Sequence, residues 1–205
     1  TLDLNGFNLT LGGSLKNSGT VKLIGSETVA LGSLDNSGQG TVTYVGTGAY
    51  SSFVLGSDYY HLNVSGEVTQ TNTLVVRGDL NITGALNSNG NNLYLAGNFN
   101  NQGSYTSGTN SVYLIGENQS ILGSNTFHNL IKRNNTTASL TLPAGSTQTV
   151  VGTLELVGTS GNLLTLKSAT ANSVWSINHT GTISKLGYLN ISDSTSVSTL
   201  DAKSN

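Results

Sequence analysis

The chain has 205 residues, of which 36% are hydrophobic and 9% charged, with a formal net charge of −2. A typical soluble domain carries roughly 25% charged residues, so solubility here must come from Ser, Thr, Asn and the 26 glycines. Low charge beside many Leu, Val and Ile excludes the disordered class. Scattered bases, with Lys132 and Arg133 the only adjacent pair, exclude a phosphate-backbone binder. The absence of Cys excludes disulfides and thiolate metal sites, and no run approaches the roughly 20 apolar residues of a membrane span.

Short apolar–polar–apolar alternations follow one another along the chain. They run Leu2/Leu4, Leu9/Leu11, Val21/Leu23, Val42/Tyr44, Leu62/Val64 and Leu74/Val76, then Leu80/Ile82, Leu93/Leu95 and Val112/Leu114. Leu140/Leu142, Leu154/Leu156, Leu164/Leu166 and Leu189/Ile191 complete the series. Period two marks a strand with one buried face. Between the alternations lie turn residues, as in NSG at 17–19 and 36–38 and NSNGNN at 87–92, where Gly and Asn accept the positive φ of tight bends. No apolar run recurs at helical spacing. The fold class is all-β, with no significant helix.

The chain also matches itself. NLTLGGSLKNSG at 8–19 aligns with NLYLAGNFNNQG at 92–103, and TVTYVG at 41–46 aligns with SVYLIG at 111–116. YYHLNV at 59–64 pairs in the same order with FHNLIK at 127–132. Ordered blocks of this kind identify a repeat architecture. The spacing predicts one elongated domain over 1–205, with units of about 1–84 and 85–160 and a divergent segment 161–205. Each coil of about 20 residues would supply two or three short strands to parallel sheets. At ~4.8 Å per stacked strand, nine or ten coils make a rod on the order of 45 Å long. A β-sandwich or a propeller would want more aromatic core than four Phe and one Trp.

The block at 40–66 and its continuation LVVRGDLNITGALNSNGNNLYLAGNFNNQGSYTSGTNSVYLIG at 74–116 resemble repeats of large bacterial cell-surface and secreted parallel β-helix proteins. The segment 154–194 resembles their companion segment. The resemblance implies a right-handed parallel β-helix (β-solenoid) on a cell surface or in an extracellular fibre. Such proteins share no common reaction, so no functional residue carries over. Pro143 and the Lys132–Arg133 pair depart from the pattern, and a loop is expected in that coil.

Candidate sites are few. Glycoside hydrolysis needs two carboxylates about 5–9.5 Å apart. The ten acids are dispersed, so only stacking, for example of Asp58 with Glu117, could gather a pair. His61, His128 and His179 lack zinc-type spacing, and corner positions explain them more simply. No catalytic, metal or cofactor residue is assigned, and the chain is expected not to be an enzyme. Tyr59, Tyr60 and Phe127 could form an aromatic strip facing a sugar, or else stack inward at a wide corner. Trp175 is expected in the core. The eight Asn-x-Ser/Thr sequons are no more than this composition yields by chance. The N-terminal TLDLNGFNLTL opens directly into strand-like sequence, while 194–205 trails off polar. Thr1, Leu2, Asp3 and Leu4 at one end, and Leu189 and Ile191 at the other, are therefore the expected subunit interface. The expected function is an extracellular structural subunit that builds a surface fibre, sheath or stalk by head-to-tail stacking or strand exchange. The expected partners are further copies in a homopolymer, and surface glycans, with no nucleic acid and no membrane insertion. The alternatives are an adhesin or carbohydrate-binding solenoid and, behind it, a polysaccharide lyase or glycosidase.

Overall fold

The structure is a computed structural model and describes residues 1–46 and 49–196. The polar segment 197–205, with Asp201, lies outside the described residues. Every ladder between the strands is parallel, and the only helical turn among the described residues is the three-residue 3-10 turn Asn36–Gly38. The molecule is a parallel β-solenoid of about ten coils. Its longest sheet has ten strands, from Leu2–Asp3 and Thr20–Leu23 through Thr41–Tyr44, His61–Val64, Leu80–Ile82 and Phe99–Asn101. It continues with Asn118–Leu122, Ala138–Leu142 and Leu164–Ser168 to Leu189–Ile191.

A second sheet of seven strands starts at Asp58–Tyr59 and ends at Thr182–Gly187. A third face holds two four-stranded sheets, Ala49–Tyr50 to Ser104–Thr106 and then Thr126–Phe127 to Ser194–Ser196. From the third coil onward the chain visits the long sheet, the third face and the second sheet in turn. The first two coils are simpler. Besides the long sheet they contain only a ribbon of Leu9–Lys16 paired with Val29–Asp35.

Like residues stack on like because successive strands pair in parallel register while the corners take up differences in coil length. Leu62, Leu80 and Phe99 are direct partners in the long sheet, as are Leu74, Leu93 and Val112 in the second. All six are fully buried. At about 1.5–3 kcal/mol for each fully buried large apolar side chain, such columns are the main source of cohesion. The register advances 18 residues from Leu62 to Leu80 and 26 from Leu140 to Leu166. The longer C-terminal coils place their extra residues in corner turns such as the Thr159–Asn162 bridge. Glycines permit the tightest corner. A Cβ on Gly84 would stand 2.1 Å from the Gly66 carbonyl oxygen, and one on Gly103 would stand 2.1 Å from that of Gly84.

Seven of the aromatic residues sit where the cross-section changes. Tyr44, Tyr50, Phe53 and Tyr59 pack edge-on or tilted at the step from two-faced to three-faced coils, with ring centroids 5.0–6.4 Å apart. Phe99, Tyr105 and Phe127 pack at the break in the third face, at 5.2–6.0 Å. Large rings fill the extra volume that Leu and Val columns leave at such joints. Trp175 is core, as expected, with its indole N–H donated to the Ser192 carbonyl.

Two expectations change. The Lys132–Arg133 pair does not interrupt its coil, because Asn129–Arg133 is a continuous five-residue strand. Lys132 points into the core and Arg133 out of it, the ordinary alternation of a strand. The self-matching blocks also do not coincide in space. Val42/Tyr44 lie in the long sheet and Val112/Leu114 in the second, while Leu9/Leu11 lie in the N-terminal ribbon and Leu93/Leu95 in the second sheet.

Candidate functional site

With the inward positions filled by Leu, Val, Ile and rings, any binding chemistry rests on the outward positions. On the long sheet these form two ladders. In one, Asn81 Nδ2 donates to Asn63 Oδ1 and Asn100 Nδ2 to Asn81 Oδ1, both at 2.8 Å, while Asn63 Nδ2 reaches Thr43 Oγ1 at 3.3 Å. Beside it Thr83 Oγ1 donates to Ser65 Oγ at 3.0 Å. The other ladder links side chain to backbone. His61 Nδ1 accepts the Asp79 N–H, Asp79 Oδ1 the Asn98 N–H, and Asn98 Oδ1 the Ser120 N–H, at 2.8–2.9 Å. A similar amide chain is buried at a corner, from Asn101 Nδ2 to Asn125 Oδ1 and from Asn125 Nδ2 to Gln148 Oε1. Each arises because an outward or corner polar side chain recurs once per coil, so the strand spacing of ~4.8 Å brings successive groups into hydrogen-bond reach.

Two polar depressions among the described residues bear on binding. One lies at the shoulder where the second sheet begins, lined by Asp35, Asn36, Gln39, Asp58, Tyr60 and Arg77 among others. There Arg77 makes a two-pronged ion pair with Asp58 at 2.6 and 2.9 Å, which raises the Arg77 pKa above its ordinary value, and Asn36 Nδ2 caps the sheet edge at the Asp58 carbonyl. The other runs along the asparagine ladder.

The three candidate aromatics do not form a strip. Tyr59 and Phe127 are fully buried joint residues, and of the three only Tyr60 reaches the surface, edge-on to His61 in the shoulder depression. Tyr59 Oη donates to the Gly56 carbonyl at 2.7 Å and lies 2.9 Å from Tyr44 Oη. Burial pushes the Tyr44 hydroxyl up to about 12 and the Tyr59 hydroxyl well above its usual range. Sequence alone could not show this, because inward and outward differ by one residue within the Tyr59–Tyr60 pair.

The expected interface residues fall at the two ends of the long sheet. Leu2 and Ile191 are exposed, Leu4 is buried and Leu189 is half-buried. Asp58 and Glu117 are not brought together: Asp58 is in the first strand of the second sheet and is bound to Arg77, whereas Glu117 accepts from Thr136. No group of three His, Asp or Glu that could hold a metal occurs among the described residues.

Three charged groups serve the structure in ways the sequence did not suggest. The Glu27 carboxylate, buried near the N-terminal end, accepts N–H bonds from Gly6, Ile24 and Gly25 at 2.7–3.1 Å and so ties the first two coils together. Desolvation raises its pKa, but these bonds outweigh that and hold it below the ordinary value. Glu155 is held low chiefly by its paired bonds with Arg133 at 2.5 and 2.6 Å. Lys132 is fully buried, with its amine donating to the Gly116 carbonyl at 2.6 Å and Gln119 Oε1 at 2.8 Å, and desolvation lowers its pKa to about 8.

Comparison of the chain with protein-family models, curated proteins and solved structures finds no match. The functional reading therefore rests on the geometry described above.

Proposed function

We propose that this chain is an extracellular structural element, a stiff β-solenoid segment of a surface fibre, sheath or stalk, that associates end to end. The supporting observation is the continuity of its ladders. Backbone pairing runs unbroken through ten strands of the long sheet, and outward Asn, Ser and Thr side chains add a second set of bonds over its central coils. Each coil pairs its strands only with those of the coils before and after it, so a coil of a second copy could add to the stack by the same backbone pairing. A head-to-tail contact of this kind does not close on itself and propagates. With 9% charged residues, little like-charge repulsion opposes such stacking. The extracellular setting is supported by an outer surface whose polarity comes from Ser, Thr and Asn rather than from charge. Negative-stain microscopy of concentrated protein tests the reading. Filaments about one solenoid wide, shortened by Leu2→Lys or Ile191→Lys, support it; isolated particles at every concentration overturn it.

A further inference from the structure

The depression on the outer face of the long sheet has a volume of about 460 Å³. Asn63, Asn81 and Asn100 line one side, Ser65, Thr83 and Gln102 line the other, and Leu122 stands at one end. We propose that this groove binds a neutral, extended polysaccharide lying along the solenoid axis. Binding here is separate from end-to-end stacking, since a single solenoid carries the whole groove.

Four features lead to this ligand class. First, the lining repeats once per coil, at ~4.8 Å, close to the length of one pyranose unit in an extended glycan, so successive sugars meet equivalent rungs. Second, the carboxamides are used on one side only. Asn81 spends one N–H on Asn63 and one lone pair on Asn100, which leaves a second N–H and a second lone pair. A donor and an acceptor side by side match adjacent sugar hydroxyls, each of which both donates and accepts. Third, none of the lining residues is ionisable, which favours an uncharged polymer over a polyanion. Fourth, Leu122 is registered beside Asn100 and is 37% exposed, giving the C–H face of a sugar an apolar contact at one end of the polar run. The ladder bonds hold the asparagines in place before ligand arrives, so little side-chain freedom is lost on binding.

The test is affinity electrophoresis of the full chain through gels containing hydroxyethyl cellulose, laminarin or xylan, with polygalacturonate as the charged comparison. Retardation by at least one neutral polymer is expected. Asn81→Ala and Gln102→Ala should each weaken it by roughly tenfold, the loss of one or two hydrogen bonds. Tyr94→Ala, on the outer face of the second sheet, should leave it unchanged. Gln102 is exposed, so its variant keeps the test open should Asn81→Ala fold poorly. Three results overturn the proposal: no retardation by any neutral polymer, retardation that Gln102→Ala leaves intact, or retardation by polygalacturonate alone.

Discussion

Replacing Lys132 by methionine measures what a buried amine costs this core. Lys132 stands in register with Leu156, in the inward column that also holds Leu95 and Leu114. Its ammonium has two neutral oxygen partners and no carboxylate. With the folded pKa near 8 against 10.5 for the free side chain, burial of the charge costs about 3 kcal/mol at pH values where both states are protonated. The unfolded chain holds the proton up to higher pH, so stability rises as pH climbs from about 8 toward 10.5. Methionine is unbranched, of similar length and carries no charge. It removes that cost but leaves the Gly116 and Gln119 oxygens short of a donor, a loss of about 1–2 kcal/mol. Lys132→Met should therefore stabilise the protein by about 1–2 kcal/mol at pH 6, raising Tm by roughly 4 °C, and the gain should vanish near pH 9–10. Buried tyrosines such as Tyr44 and Tyr59, which stay protonated in the fold, lower stability above pH 10 in both proteins. The difference between variant and parent cancels them. The assay is paired thermal and urea unfolding at pH 6, 7, 8, 9 and 9.5. A difference that stays flat with pH, or a clear destabilisation at pH 6, refutes the reasoning.

Three further substitutions probe other parts of the stack. Glu27→Gln removes a charged acceptor shared by three backbone N–H groups and should cost about 2 kcal/mol, read as faster amide exchange at Gly6, Ile24 and Gly25. Because the folded pKa of Glu27 is lowered, the parent should lose the same protection as pH falls through that value, while the Gln variant should not. Tyr59→Phe removes the bond to the Gly56 carbonyl and leaves Tyr44 Oη with fewer partners, for a loss of about 1–2 kcal/mol by denaturant titration. Gly84→Ala drives a Cβ against the Gly66 backbone and should cost about 1–3 kcal/mol or more, with the loss of protection centred on the coils around residue 84.

The alternation that betrayed the strands is short-range and needs only residues two apart, so Leu80/Ile82 and Leu93/Leu95 were legible directly. Which sheet each strand joins was not. Any apolar–polar–apolar triplet followed by Gly suits any face, which is why TVTYVG and SVYLIG align in sequence yet stand in different sheets. Leu9 and Leu11 carry the same letters as Leu93 and Leu95 but form a half-exposed ribbon, because the first two coils have no third face to close over them. The asparagine ladder needed vertical alignment as well as outward direction. That depends on coil lengths of 18 and 19 residues between Asn63, Asn81 and Asn100, which local patterning does not reveal. Lys132 was hidden for a different reason: a lysine beside an arginine reads as solvated surface, and only strand alternation turns one of the two inward.

Parallel, in-register stacking of coils underlies the ladders, the groove and the rod, and the absence of Cys allows it to be measured directly. Ser139 and Thr165 are outward partners on adjacent strands of the long sheet, 26 residues apart in sequence. A Cα separation of ~4.8 Å lies within the roughly 4.4–6.8 Å that a disulfide spans. Ser139→Cys with Thr165→Cys should close an intramolecular disulfide under mild oxidation, seen as a 2 Da loss in intact mass and one linked peptide pair. Ser139→Cys with Lys167→Cys, one outward position further along, should stay reduced under the same conditions. Equal oxidation of the two pairs, or preference for the second, would contradict the stacked register.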